Sequence, residues 1–302
     1  MNIKLVFLGT SAAVPTKDRW LPSIALVRGG EIILFDCGEG TQLRFIQLGL
    51  SIMKIKAIFI THMHGDHIFG LPGLIQTMNM YGRETPLTII GPGKIVDYIK
   101  SIIETTLYDP GFTIKMARAE EDKIVYETKE YIVKSFTVEH YGECYGYVFE
   151  EKPKPGKFNV EKALKLGIPR GPLWKVLQEG KPVKIGDRII KPEEVLGPPR
   201  KGKKIVYTGD TKPLDRVKEV AKEADVLIHD STFSMELREK AIEQGHSTAY
   251  DAARIALEAN VKTLILTHFS SRYRDLSKLL EEAKSIFPNT IIAYDTMVFE
   301  VN

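Results

Sequence analysis

Four side chains that could bind a metal ion occur within one short segment of the chain. They are His62, His64, Asp66 and His67, with the spacing His-x-His-x-Asp-His. Imidazole nitrogens and carboxylate oxygens are ligands that zinc takes in proteins. The whole sequence has only 7 histidines in 302 residues, so three of them in this segment are not explained by ordinary surface composition. The segment therefore predicts a metal site.

Three more candidate ligands lie far away in the sequence. His140, Asp210 and His268 each follow shortly after a run of apolar and β-branched residues that predicts a strand. Taken alone, a histidine or aspartate at a strand end is commonplace. The carboxyl ends of strands are, however, where α/β sheets place their sites, so these residues are expected to join the cluster at 62–67. Seven ligands fit two ions, with three ligands for each and one carboxylate shared.

The elements that must position these ligands are short strands alternating with amphipathic helices. The pattern predicts an α/β fold in which two sheets pack face to face and the helices lie outside them, an αββα arrangement. We expect residues 1–302 to form a single catalytic domain that carries an inserted flexible arm at residues 151–200.

The insert is marked by its charge and its prolines. Residues 151–204 contain 15 basic and 6 acidic residues, a net charge of +9, whereas the whole chain has a net charge of only +3. Eight of the 16 prolines lie in this stretch, on both sides of a short predicted helix near residues 160–166. The pattern favours a basic, protruding arm that leaves and rejoins the body, with a solvated surface loop as the simpler alternative.

The composition excludes several classes of protein. Hydrophobic residues make up 43% of the chain, enough for a large core, yet no apolar run approaches the length of a membrane span. Two cysteines, Cys37 and Cys144, cannot form a disulfide framework and are expected to be buried apolar residues. We therefore expect a cytoplasmic protein without a membrane partner.

The pattern resembles the metallo-β-lactamase superfamily and, more closely, the ribonuclease Z family of tRNA 3′-processing endonucleases. The likeness extends from about Lys4 to about Val298. The supporting segments besides the ligands are 7–10, 35–40, 168–173, 229–232, 246–248 and 266–273.

This resemblance implies two zinc ions per subunit. His62, His64 and His140 would hold one ion, Asp66, His67 and His268 the other, and Asp210 would bridge them. Such a pair activates water and places two positive charges beside a scissile phosphate. Cleavage would leave a 3′-hydroxyl on the tRNA and a 5′-phosphate on the trailer.

Further roles also follow from the resemblance. Asp66 would accept a proton as well as bind metal. His246 would protonate the leaving oxygen with Asp230 as its partner. Most members have glutamate at the position of Asp230, and the shorter side chain puts its reach to His246 in question. His229 is expected to be structural, bonded to backbone.

In similar proteins the arm clamps the tRNA elbow, and homodimers lend it to the partner subunit. We expect precursor tRNA, not DNA, as the nucleic-acid partner, and a homodimer as the assembly. The candidate RNA contacts are five basic residues of the arm: Lys152, Lys154, Lys157, Arg170 and Lys175.

One segment departs from the family pattern. Trp20 stands where many relatives have asparagine, in a loop linked to the choice of cleavage site. The cleavage position and the rejection of CCA-ended tRNA therefore do not follow from the resemblance. Trp20 could stack on a base or pack beneath the loop.

Two other functions fit parts of the pattern. A different dinuclear hydrolase of the same fold, acting on small phosphodiesters or aryl sulfates, would share the ligands but have no use for the arm. A non-catalytic RNA-binding protein would need only a structural metal site, but such sites are closed with four ligands.

Overall fold

The computed structural model describes residues 2–106 and 109–302. Its strands, numbered in chain order, are β1 Ile3–Gly9, β2 Ser11–Ala12, β3 Ser23–Arg28, β4 Glu31–Phe35, β5 Ile55–Phe59, β6 Leu87–Gly91, β7 Ile114–Arg118, β8 Ile124–Glu127, β9 Tyr131–Thr137, β10 Tyr145–Glu151, β11 Val183–Ile185, β12 Arg188–Ile190, β13 Lys204–Tyr207, β14 Val226–Asp230, β15 Thr263–Thr267, β16 Phe269–Ser270, β17 Thr290–Ile292 and β18 Val298–Val301.

The helices are similarly short. They are α1 Thr41–Gln47, α2 Gly65–Ile68, α3 Leu71–Met80, α4 Ile95–Thr105, α5 Val160–Lys165, α6 Pro172–Gln178, α7 Asp215–Ala221, α8 Arg238–Glu243, α9 Ala249–Glu258 and α10 Ser277–Lys284. Single 3₁₀ turns occur at Ile52–Lys54, Pro192–Glu194 and Met235–Leu237. No helix in the described part of the chain is long and apolar enough to cross a membrane.

Two seven-stranded sheets contain most of the strands. Their strand orders are β18-β1-β3-β4-β5-β6-β7 and β17-β15-β14-β13-β10-β9-β8. The central strands β4, β5 and β6 are parallel, as are β13, β14 and β15, so in each sheet several carboxyl ends meet at one edge.

Aromatic side chains join the two sheets. Phe35 of β4 lies 5.8 Å from Tyr207 of β13, and Phe59 of β5 lies 5.3 Å from Tyr147 of β10, measured between ring centroids. All four side chains are buried. Because such rings bury a large apolar area, their contacts hold the two sheets face to face.

Each sheet is covered on its other face by helices. Buried residues of α1, α3 and α4 form one apolar cluster with the first sheet, including Phe45, Leu74 and Ile99. Residues of α7, α9 and α10 form a second cluster with the other sheet, including Val217 and Ala252. The predicted αββα sandwich is confirmed.

The basic insert belongs to a second compact unit, made of residues 150–203 with residues 128–131. The sequence predicts one helix here, and the structure contains α5 at that place. It also contains α6 and the hairpin β11–β12, which the sequence pattern does not predict. These elements enclose an apolar cluster of their own, formed by Ala163, Ile168, Leu177, Val183, Ile190 and Val195.

Candidate metal centre

The seven predicted ligands come together at the strand edge described above. The segment 62–67 follows β5, and its last part forms the short helix α2. His140, Asp210 and His268 follow β9, β13 and β15. Their ligand atoms form two groups, each within 4.8 Å: His62, His64, His140 with Asp210, and Asp66, His67 with His268. A third group, Asp210, His246 and His268, shares one residue with each of them.

Asp210 lies between the two groups and turns one oxygen to each. Its Oδ2 is 3.7 Å from Nε2 of His62 and 3.8 Å from Nε2 of His140. Its Oδ1 is 3.4 Å from Nε2 of His67 and 3.2 Å from Nε2 of His268. A carboxylate in this position is suited to bridge two cations.

The remaining distances complete each group. Nδ1 of His64 lies 3.2 Å from Nε2 of His140. Oδ2 of Asp66 lies 3.5 Å from Nε2 of His67 and 3.7 Å from Nε2 of His268. Ligands at about 2.0–2.1 Å from a tetrahedral zinc stand about 3.3 Å apart, so these spacings fit the ion.

The atoms that point into the centre lack other partners. Within the described residues, Nε2 of His62, His67 and His268 and Oδ1 of Asp210 are buried and make no hydrogen bond. Leaving buried polar atoms unpaired is costly, so several together at one point need an explanation. Metal coordination satisfies all of them, and the residues present therefore fit a metal site.

In His62, His140 and His268, the ring nitrogen that points away from the centre, Nδ1, makes a hydrogen bond. Nδ1 of His140 donates to the Gly245 carbonyl oxygen at 2.9 Å, and Nδ1 of His268 lies 2.9 Å from Oγ1 of Thr232. Nδ1 of His62 lies 3.0 Å from Oγ1 of Thr61. Such contacts fix ring orientation and leave Nε2 free to bind metal.

Asp36 also belongs to the site, although the sequence pattern did not predict it. Its Oδ2 is 2.8 Å from Nδ1 of His67 and accepts a hydrogen bond from Tyr207 at 2.7 Å, while its Oδ1 accepts from the backbone of Thr61 at 2.8 Å. Asp36 directly follows β4. Its position at a strand end is the same signal that identified Asp210, and could have revealed it.

The electrostatics of the centre differ from one ligand to the next. Burial alone would lower the pKa of His67, but Asp210, Asp36 and Asp66 raise it well above its usual value. Burial lowers the pKa of His62, aided by the nearby His67. In Asp66, burial would raise the pKa, yet His67 and His268 lower it, so this carboxylate stays ionised and can bind a cation.

A second hydrogen-bonded pair lies beside the ligands. Nδ1 of His246 lies 2.8 Å from Oδ2 of Asp230, so the shorter aspartate does reach the histidine. The other oxygen of Asp230 accepts from the backbone and hydroxyl of Thr232 at 2.8 and 2.7 Å. Burial alone would lower the pKa of His246, but Asp230 raises it to about 9. The His246 ring is 4.7 Å from that of His140.

His229 lies apart from this pair. It is fully buried, and its Nδ1 is 2.8 Å from the backbone oxygen of Asp230, as the sequence predicts for a structural histidine. Both cysteines, Cys37 and Cys144, are also buried and free, which agrees with their interpretation as apolar residues.

Trp20 packs beneath the loop that carries it. The guanidinium carbon of Arg44 lies 4.1 Å above its ring, and a Cβ added to Gly40 would come within 2.5 Å of the ring. Its backbone nitrogen donates to Oδ2 of Asp295 at 2.7 Å. These contacts favour the packed interpretation of Trp20 over base stacking.

The five basic residues of the arm differ in exposure. Lys157, Arg170 and Lys175 are exposed, whereas Lys152 and Lys154 are half-buried. Nζ of Lys154 lies 2.9 Å from Oε1 of the buried Glu151. Its charge is therefore partly compensated within the arm.

Comparison with known proteins identifies relatives over nearly the whole chain. The profile of a family described as "Beta-lactamase superfamily domain" matches residues 194–269, and one described as "Anti-Pycsar protein Apyc1" matches residues 3–151. A protein named Ribonuclease Z from Methanothermobacter thermautotrophicus is 48% identical over 299 residues, covering 99% of this chain and 97% of that protein. Another of the same name from Nitrosopumilus maritimus is 46% identical and covers 99% of this chain and 100% of that protein.

A solved structure agrees over the whole chain. The crystal structure of human tRNase Z, short form, superposes with a TM-score of 0.74 at 28% identity, covering 99% of both chains. With the metal-binding geometry and the αββα fold, these full-length similarities show that the chain belongs to the ribonuclease Z family.

Proposed function

We propose that this protein is a zinc-dependent endoribonuclease that removes 3′ trailers from precursor tRNA. The observation that carries the proposal is the position of Asp210, with one oxygen toward His62 and His140 and the other toward His67 and His268. That arrangement suits two cations side by side, and phosphodiester hydrolysis is a reaction for which such pairs are used.

The ligand sets follow from the two groups. His62, His64 and His140 would hold one zinc ion, and Asp66, His67 and His268 the other, with Asp210 shared. Bound there, the ions would activate water and stabilise the charge that develops on the phosphate.

His246 would supply the proton that the leaving oxygen needs. A water oxygen bonds to phosphorus and gives up a proton to Asp66, the bond from phosphorus to the 3′-oxygen breaks, and that oxygen takes a proton from His246. Because Asp230 holds Nδ1 of His246 and raises its pKa to about 9, the imidazole carries a proton at neutral pH. The products are a tRNA 3′-hydroxyl and a trailer with a 5′-phosphate.

The basic arm, residues 151–200, would bind the tRNA outside the cleavage site. Proteins recognise tRNA largely by its shape and its phosphate backbone. Exposed lysines and arginines bind the phosphates without reading the base sequence. The exposed Lys157, Arg170 and Lys175 are the strongest candidates, with Lys152 and Lys154 beside them.

We also propose a homodimer that acts in the cytoplasm. Leu43 and Ile46 of α1 are 49% and 55% exposed, and their burial against a second copy would be favourable. The two free cysteines, Cys37 and Cys144, agree with a reducing compartment. Sedimentation of the metal-loaded protein would measure the assembly.

The central test is cleavage of a 3′-extended tRNA by zinc-loaded protein, with both product ends mapped. We expect a single cut, its loss on chelation and its return when zinc is restored. His64→Ala should abolish cleavage, because it removes a ligand, but leave tRNA binding largely intact. Cleavage by the His64→Ala protein at the wild-type rate would contradict the proposal.

A further inference from the structure

Two aromatic side chains beside the metal centre are exposed to solvent. Phe69 is 60% exposed and Tyr141 is 56% exposed, whereas most large aromatic residues of the body are buried. Exposed aromatic rings next to a catalytic centre are available to bind the substrate. We call these two residues the aromatic rim.

Tyr141 lies directly against two of the ligands. Its ring centroid is 4.8 Å from that of His140 and 6.0 Å from that of His64. Its hydroxyl donates to the carbonyl oxygen of Glu243 at 3.3 Å, near the loop that carries His246. The ring is therefore held in place at one edge while its remaining surface stays open.

Phe69 is positioned by the helix that carries other ligands. Its backbone nitrogen donates to the Gly65 carbonyl oxygen at 2.9 Å, which places it one turn after Gly65. A Cβ on Gly65 would come within 2.2 Å of the Phe69 ring, so the ring packs closely on this glycine. Both rim residues thus contact the segment His64–Gly65, and His64 is itself exposed.

We propose that the aromatic rim binds a nucleobase of the single-stranded RNA next to the bond that is cut. This inference rests on the proposed function and names a binding site within it. Unpaired RNA bases stack on aromatic rings, and the interaction tolerates any base because each has a π-face. A base held on Tyr141 would bring the adjoining phosphate to the ligands His64 and His140.

The experiment compares 3′-extended tRNAs that carry either a normal or an abasic nucleotide on each side of the cleavage site. Wild type, Tyr141→Leu and Phe69→Leu are tested for cleavage and for RNA affinity, and their zinc content is measured. Tyr81→Leu is the matched control. Tyr81 is 61% exposed but follows the far end of α3, about 15 Å from the end next to Phe69.

We expect each rim variant to raise the KM for the normal substrate by about fivefold or more at unchanged zinc content. With wild type, the abasic nucleotide should raise the KM by a similar factor. With the rim variants it should raise the KM little further, because the same contact is already absent. Tyr141→Trp should retain the preference for the normal substrate, and Tyr81→Leu should behave as wild type.

The outcomes separate the two proposals. Rim variants with the KM of wild type would overturn the rim as a base-binding site. So would rim variants in which the abasic nucleotide raises the KM as much as it does in wild type. Wild type that binds the RNA with rim-dependent affinity but does not cut it would instead overturn the proposed function alone.

Discussion

At the scale of single residues, the centre depends on side chains that lie at strand ends. The sequence identified all seven ligand candidates because histidine and aspartate after an apolar run are visible without a structure. Thr232, which contacts both His268 and Asp230, was not identified as part of the site. A threonine in a turn has many uses, and only the folded geometry shows which partner its hydroxyl has.

The pair Asp230 and His246 gives a prediction about pH. In Asp230→Asn the negative charge that raises the pKa of His246 is lost, while a hydrogen-bond acceptor remains. The other groups that act on His246 are Asp210, which raises its pKa, and His67, which lowers it, with the His140 and His268 rings nearby. Because protonated His246 donates the proton, activity falls as pH rises through the pKa of His246. That pKa is lower in Asp230→Asn, so the fall in activity should occur at lower pH.

Single-turnover cleavage rates measured from neutral to alkaline pH would check this. We expect a loss of about 100-fold on the alkaline side with little change in tRNA affinity. Asp225→Asn is the matched control, a buried carboxylate directly before β14 that pairs with Lys262 at 2.7 Å. An Asp230→Asn profile that superposes on that of wild type would count against a proton-donating His246.

At the scale of elements, the insert is closed by a pair of backbone hydrogen bonds. The nitrogen of Lys154 donates to the oxygen of Arg200 at 3.0 Å, and the reverse bond measures 2.9 Å. The charge and proline content predicted the insert, but only one of its helices. α6 begins at Pro172 and the hairpin β11–β12 is very short, so their local patterns are weak and they depend on the small apolar cluster around them.

Replacing residues 155–199 by an Asn-Gly turn should remove the arm while the closing pair is kept. We expect the KM for precursor tRNA to rise by about 100-fold and its dependence on salt to weaken, because phosphate contacts are lost. Hydrolysis of a small phosphodiester, together with zinc content, is the control and should stay at the wild-type level. Unchanged tRNA cleavage without the arm would favour a small-molecule hydrolase instead.

At the scale of the whole molecule, the ligands come from both sheets. The segment 62–67 follows β5 of one sheet, whereas His140, Asp210 and His268 follow strands of the other. Bound cations would therefore link the two sheets. Ligands that bind only the native state raise its stability by an amount that grows with the logarithm of their concentration divided by Kd.

Removal of metal should accordingly lower the melting temperature. For a chain of this size each kcal/mol corresponds to about 2–4 °C, so chelation should lower it by about 5–10 °C. Differential scanning calorimetry with and without chelator would measure the change. The Asp210→Asn protein should respond less, and equal melting of zinc-loaded and chelated wild type would contradict a link between the sheets.

The sequence predicted the layers of the fold better than the edges of its sheets. Buried strands such as β5 and β14 contain short apolar runs, which predict a strand from the sequence alone. The strands β7 and β18, at the two edges of the first sheet, contain no such run. Their side chains are mostly exposed or half-buried, so they have little local signal, and pairing with β6 and β1 determines them.

The pairing of β18 with β1 has a consequence for engineering. Ile3 lies opposite Val301, so the two strands that come first and last in the chain are immediate neighbours. A linker of a few residues could join them, and new termini could be opened in a surface turn, giving a circular permutant in which every strand keeps its neighbours. Such permutants would reveal whether the centre forms regardless of the order in which its ligands are synthesised.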